Sequence, residues 1–108
     1  KIYQKELFDV NGVKIIPCNY DDVVPHIFVV RITNGKRDEV KQFLNDNGVA
    51  TGMHYRPNHL LSLFSSNQDN STLKHTDLVY KQLITLPLHV DMTEEDVVYV
   101  CNTLKKAL

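Results

Sequence analysis

Four side chains able to do polar chemistry fall within six residues: His54, Tyr55, Arg56 and His59, arranged around Pro57. Imidazole and phenol groups donate and accept hydrogen bonds, and their rings stack on other rings. Hydroxyls and phosphate oxygens are natural partners for them, and Arg56 can meet an anionic group. Taken singly, each of these residues reads as an ordinary surface or half-buried polar side chain. Their convergence beside one proline turn points to binding. An apolar run, Leu60, Leu61, Leu63 and Phe64, follows directly. Residues 48–64 are therefore expected to form the ligand-facing edge of a small domain. In this reading Gly48 ends a helix, and a short strand over residues 49–53 delivers the polar groups to its end.

Other chemistries fit the sequence less well. His54 and His59 are five apart with a proline between them, not the i, i+4 pair of a helical zinc site. No carboxylate or cysteine neighbours them, and His26, His75 and His89 are scattered. No metal site is expected. Cys18 sits among turn residues and Cys101 on an apolar helix face, neither with an activating neighbour, so a cysteine nucleophile is not expected. The two cysteines read as reduced, partly buried thiols of a cytoplasmic protein, with a single disulfide between them as the alternative. The four glycines are isolated, so no phosphate-cradling loop is present.

Composition sets wider bounds. The 108 residues are 43% hydrophobic and 23% charged, ordinary values for one soluble globular domain. A net charge of −1 gives no electrostatic case for nucleic acid or an anionic membrane. No apolar run approaches the ~18 residues that span a bilayer.

The elements that must position the cluster follow from periodicity. Residues 1–8 read as the last turns of an amphipathic helix through Ile2, Tyr3, Glu6 and Leu7. Together with a start at Lys1 rather than methionine, this leads us to expect a piece cut from a longer polypeptide, with processing of a short leader as the alternative. Turn residues fill 9–25, with a short strand over 13–16. Residues 26–32 read as a strand, β-branched and aromatic through Ile27, Phe28, Val29, Val30 and Ile32 and apolar on nearly both faces, which suits a central position. Phe28, Val30 and Ile32 share one face; Ile27, Val29 and Arg31 share the other. Arg31 is the odd member, reaching either solvent or a neighbouring carboxylate, or else serving a site. Val40, Phe43 and Leu44 mark one face of a helix over 37–47, and Gly48 stops it.

Residues 65–71 read as a polar surface loop. Ser71 is expected to cap a helix through about Leu83, with Leu73, Tyr80 and Leu83 as buried anchors. A third strand over 84–88 is broken by Pro87. Thr93 with Asp96 makes a loose capping box for a last helix, whose apolar face is Val97, Val100, Cys101 and Leu104. The sum is an α+β layer: a small mixed or antiparallel sheet of three or four strands with helices on one face. The two-sided apolarity of residues 27–32 favours another domain over the sheet's second face.

Three stretches carry a resemblance: HIFVVRI, then RDEVKQFLNDNGVATGMHYRPNHLLSLF, then LITLPLHVDMTEEDVVYVCNTL. Together they resemble the C-terminal small domain of the DegT/DnrJ/StrS-type sugar aminotransferases, across residues 1–104. The resemblance implies the small domain of the aspartate-aminotransferase fold, with residues 1–8 the tail of an interdomain helix. It also implies a homodimeric pyridoxal-phosphate enzyme that moves an amino group from glutamate to a nucleotide-linked keto-sugar, supplying surface polysaccharide or glycoconjugate sugars.

The family's cofactor-bearing lysine and most of its phosphate cup belong to a large domain that precedes this one. None of the nine lysines here matches that lysine, so the resemblance implies no catalytic residue in this chain. It assigns His54, Tyr55 and His59 to the substrate by motif, and Arg56 by adjacency. Arg56 and Asn58 depart from the smaller or apolar residues expected around Pro57. Some members of the fold dehydrate rather than transaminate, and the lysine position decides between them. Two other readings stand beside this one: a stand-alone binding module using the same residues, and an interaction domain whose sheet face docks a partner.

Overall fold

Strand β2 (Phe28–Ile32) is the middle of a three-stranded antiparallel sheet, between β1 (Val13–Ile15) and β3 (Leu83–Leu86). The computed structural model describes residues 1–65 and 73–108. Val30 lies opposite both Ile15 and Ile84, and Phe28 lies opposite Leu86. Because side chains alternate along a strand, one sheet face collects Phe28, Val30, Ile32, Ile84 and Leu86, all buried. The expected central position of this strand and its face assignment both hold.

Helices α1 (Ile2–Leu7), α2 (Arg37–Asp46) and α5 (Glu94–Ala107) cover that face. They contribute Tyr3, Leu7, Val40, Leu44, Val100, Cys101 and Leu104 to the core. Phe43, expected in the α2 stripe, is instead partly exposed at the helix edge. Gly48 ends α2 with φ +74°, a conformation that a side chain disfavours. At the start of α5, the Thr93 hydroxyl accepts from the Asp96 N–H while the Asp96 carboxylate accepts from the Thr93 N–H. The aspartate completes the capping box despite its short side chain. Acidic Glu94, Glu95 and Asp96 in the first turn and Lys105 and Lys106 in the last complement the helix dipole.

Arg31 projects from the opposite face of β2. Its Nε and Nη2 both donate to Gln82 Oε1, at 3.0 and 2.8 Å. The partner is thus a side-chain amide rather than the carboxylate or solvent expected for an arginine outside a site.

Several further expectations are corrected. Residues 49–53 do not form a strand; Gly52 alone pairs, antiparallel to Thr85. The next hydrogen-bonded pair in that register would set Ala50 against Pro87, which has no N–H to give. The Pro87 carbonyl is already used by the Tyr3 hydroxyl, which donates to it at 2.8 Å. Thr51 turns instead to Asn45 Oδ1, with both its N–H and its hydroxyl.

The helix expected to run through Leu83 is α4 (Lys74–Tyr80), and Leu83 begins β3 instead. Leu73, Tyr80 and Leu83 are half-buried rather than core. β3 stops at Leu86, as the following proline requires, and not at Leu88. Ser71, the proposed cap, and most of the polar loop lie outside the described residues, while Ser65 closes a short helix, α3 (Ser62–Ser65).

Candidate functional site

The site is built from Gly52 outward. Its N–H donates to the Thr85 carbonyl and its carbonyl accepts from the Thr85 N–H, both at 2.9 Å. This pins the chain to the free edge of β3. Two residues later the His54 ring folds back over Gly52, and its Nδ1 sits 3.0 Å from Thr85 Oγ1. A Cβ at position 52 would stand 2.8 Å from His54 Cε1 and 3.2 Å from Nδ1. Glycine is therefore what lets the imidazole lie so close to the backbone. Tyr55 meets the His54 ring edge-on, with centroids 4.8 Å apart and planes at 81°. That is a favourable aromatic geometry.

The four candidate residues do not share one opening. His54 lines a depression of about 350 Å3 with His26, Thr51, Thr85 and Pro87. Tyr55, 66% exposed, lines a second depression of about 350 Å3 against His75, Val79 and Tyr80. Arg56 is exposed, and its Nη2 donates to the Leu60 carbonyl at 3.1 Å. His59, in a 3-10 turn (Asn58–Leu60), is only 6% exposed, with Nε2 2.7 Å from Asp77 Oδ1 on α4. It fastens the turn to that helix.

Thr85 and Asp77 are not singled out in the sequence, and Gly52 enters only as one glycine of the segment 48–59. The one local sign of Thr85 is a hydroxyl on an otherwise apolar strand, Leu83–Leu86.

Among the described residues no cluster of three or more histidine, cysteine or acidic side chains could hold a metal ion. Both cysteines are free. Burial pushes the Cys101 thiol up to about 11, partly offset by Lys105, so it stays protonated at neutral pH. A thiol held in that form is a poor nucleophile. Among the described residues no helix is long and apolar enough to cross a membrane.

Residues 1–105 match the DegT/DnrJ/EryC1/StrS aminotransferase family, and the chain belongs to that family. The fold is shared with solved sugar aminotransferases. Spr1654 from Streptococcus pneumoniae, solved in PMP and PLP forms, is 22% identical with a TM-score of 0.88. The alignment covers 98% of this chain and 28% of that one. Sugar aminotransferase CalS13 from Micromonospora echinospora is 28% identical with a TM-score of 0.80, covering 96% of this chain and 27% of that one. Helicobacter pylori PseC, an aminotransferase involved in the biosynthesis of pseudoaminic acid, is 17% identical with a TM-score of 0.80. There the coverage is 98% and 30%. The chain thus spans less than a third of the length of each of these proteins.

Pyridoxal phosphate, the cofactor the family implies, can be tested against the two depressions. A phosphate monoester needs cations or converging N–H groups, a ring nitrogen of this kind needs a carboxylate, and attachment needs a lysine. No lysine, arginine or carboxylate lines either depression. These surfaces alone do not fit the cofactor; their imidazoles, phenols and hydroxyls fit a neutral or oxygen-rich ligand.

Proposed function

We propose that this chain is the C-terminal small domain of a pyridoxal-phosphate aminotransferase that passes an amino group from glutamate to a nucleotide-linked keto-sugar. The family match over residues 1–105 carries this reading. The cofactor, its lysine and its phosphate-binding groups belong to a large domain elsewhere in the polypeptide. When bound there, the cofactor supplies the electron sink that amino transfer requires.

This chain's part is to bind and enclose. His54 and Tyr55 offer one fixed and one exposed polar ring to the sugar nucleotide, and Arg56 offers charge to an anionic group. His59, held by Asp77, keeps their turn in place. Groups set rigidly around a substrate help by orienting it and by excluding water. The assembled enzyme works in the cytoplasm as a homodimer, supplying amino-sugars for polysaccharide or glycoconjugate synthesis.

The test is steady-state amino transfer from glutamate to nucleotide-linked keto-sugars by the protein made from the full natural coding sequence. Transfer is expected, with His54→Gln and Tyr55→Ala raising the sugar KM more than they lower kcat. A protein that transfers no amino group to any such sugar would overturn the reading. Variants with unchanged kinetics would remove these residues from the substrate.

A further inference from the structure

The geometry points to Thr85 as a positioning residue that locks His54 in its Nε2–H tautomer, making the ring a hydrogen-bond donor aimed at an oxygen acceptor of the ligand. The inference rests on the proposed role of His54 in facing ligand.

The hydrogen bond between His54 Nδ1 and Thr85 Oγ1 can run in either direction. If Nδ1 carried the proton, Nδ1–H would donate to the hydroxyl oxygen, and the hydroxyl proton would need another acceptor. Thr85 is buried, and no other side-chain bond to its hydroxyl is found among the described residues. A buried donor left unpaired is costly, so the hydroxyl proton points at Nδ1. Nδ1 then accepts, and in a neutral imidazole the proton must sit on Nε2.

The ring cannot easily turn to escape this assignment. Its Cε1 and Nδ1 lie over Gly52, where even a Cβ would not fit, and Tyr55 stands against its edge. Among the described residues nothing bonds to Nε2, so the donor is left for a ligand. Its partner must offer a lone pair: a carboxylate, phosphate or sugar oxygen. A ligand N–H or ammonium group would be refused at this point. The choice between donor and acceptor at His54 is thus made by a residue that need not touch the ligand.

The test uses the full protein labelled with 15N-histidine, its His54 ring signals assigned by their loss in His54→Gln. Two-bond 1H–15N correlation spectra at pH 8 report the tautomer directly. The wild type is expected to show a pyridine-like Nδ1 and a protonated Nε2. Thr85→Val, which keeps shape and removes the hydroxyl, should give averaged shifts of a tautomer mixture, and Thr85→Ser should restore the wild-type pattern. A wild-type ring protonated on Nδ1, or a Thr85→Val spectrum unchanged from wild type, would overturn the inference. Should Thr85→Val fail to fold, the wild-type tautomer and its retention in Thr85→Ser decide alone. Titration with inorganic phosphate and with glutamate separates this from the broader reading. If the tautomer is as expected but neither anion shifts Nε2, the tautomer lock is supported and the ligand-facing role of His54 fails.

Discussion

His59 Nε2 and Asp77 Oδ1 lie 2.7 Å apart, joining the 3-10 turn after Pro57 to the middle of α4 across eighteen residues of sequence. The imidazole is nearly enclosed, while the carboxylate keeps partial contact with solvent. The pair closes the excursion that carries Tyr55 and Arg56.

The first prediction follows from that pair. Removing one partner of a buried polar bond costs about 1–3 kcal/mol, and truncating a buried ring adds a packing loss. His59→Ala should therefore lower stability by roughly 2–3 kcal/mol, and Asp77→Ala by about 1–2 kcal/mol. A double-mutant cycle by urea unfolding should give a coupling of at least ~0.5 kcal/mol. Additive effects would mean that the two side chains do not act together.

Much of the scaffold was legible because its determinants are local. Two-sided apolarity marked β2 as central, alternation assigned its faces, Gly48 marked the end of α2, and Thr93 with Asp96 marked the start of α5. What escaped was decided by distant partners. Residues 49–53 look like a strand, but their pairing is cut short by Pro87, a residue far along the chain. The sequence leaves Arg31 open between solvent or a carboxylate and a site, and its partner is the Gln82 amide, 51 positions away. The cluster 54–59 looked convergent, yet Thr85 draws His54 to one depression while Asp77 draws His59 inward. Spacing in sequence can gather such residues, but only the tertiary partner sets the direction of each side chain.

Two glycines should respond differently to alanine. Gly48 has open space around a Cβ but φ +74°, so Gly48→Ala should cost about 1–2 kcal/mol of stability and leave ligand binding intact. Gly52→Ala instead places a methyl 2.8 Å from the His54 ring. It should displace the ring and raise the sugar KM more than it lowers the melting temperature. Equal loss of binding in both variants would show that backbone stability, not ring position, governs the site.

Acid should weaken the fold through two carboxylates. A hydrogen bond and the positive charge of Lys105 hold Glu6 below its usual range, and the N–H and hydroxyl of Thr93 do the same for Asp96. Groups whose folded value is depressed stabilise fully above the unfolded value, and that contribution is lost as pH falls through the folded value. Urea midpoints should fall below about pH 4.5, and more gently in Lys105→Gln combined with Thr93→Ala. Thr93→Ala should also cost about 1 kcal/mol at neutral pH, by loss of the cap. Parallel pH curves for wild type and the double variant would contradict this assignment.

On the alkaline side burial raises both the Cys101 thiol and the Tyr3 hydroxyl. The thiol moves from the ordinary 9.0 to about 11. The unfolded chain then releases its proton first, so stability should decline from about pH 9 to about pH 11. Cys101→Ala should lessen that decline, leaving the part that Tyr3 contributes above about pH 10. A thiol-modifying reagent at pH 8 should label Cys18 in the native protein and Cys101 only after unfolding. Rapid native labelling of Cys101 would show the core around α5 to be open.

The measurement that bears most directly on the central claim is the absorbance spectrum, with intact mass, of the protein made from its full natural coding sequence. The account predicts a chain several times longer than 108 residues that carries bound pyridoxal phosphate, is bleached by borohydride, and loses the cofactor band on addition of glutamate. The 108-residue chain, given pyridoxal phosphate, should acquire no such bound species. A full-length product that stays colourless with added cofactor and does not respond to glutamate would contradict the account.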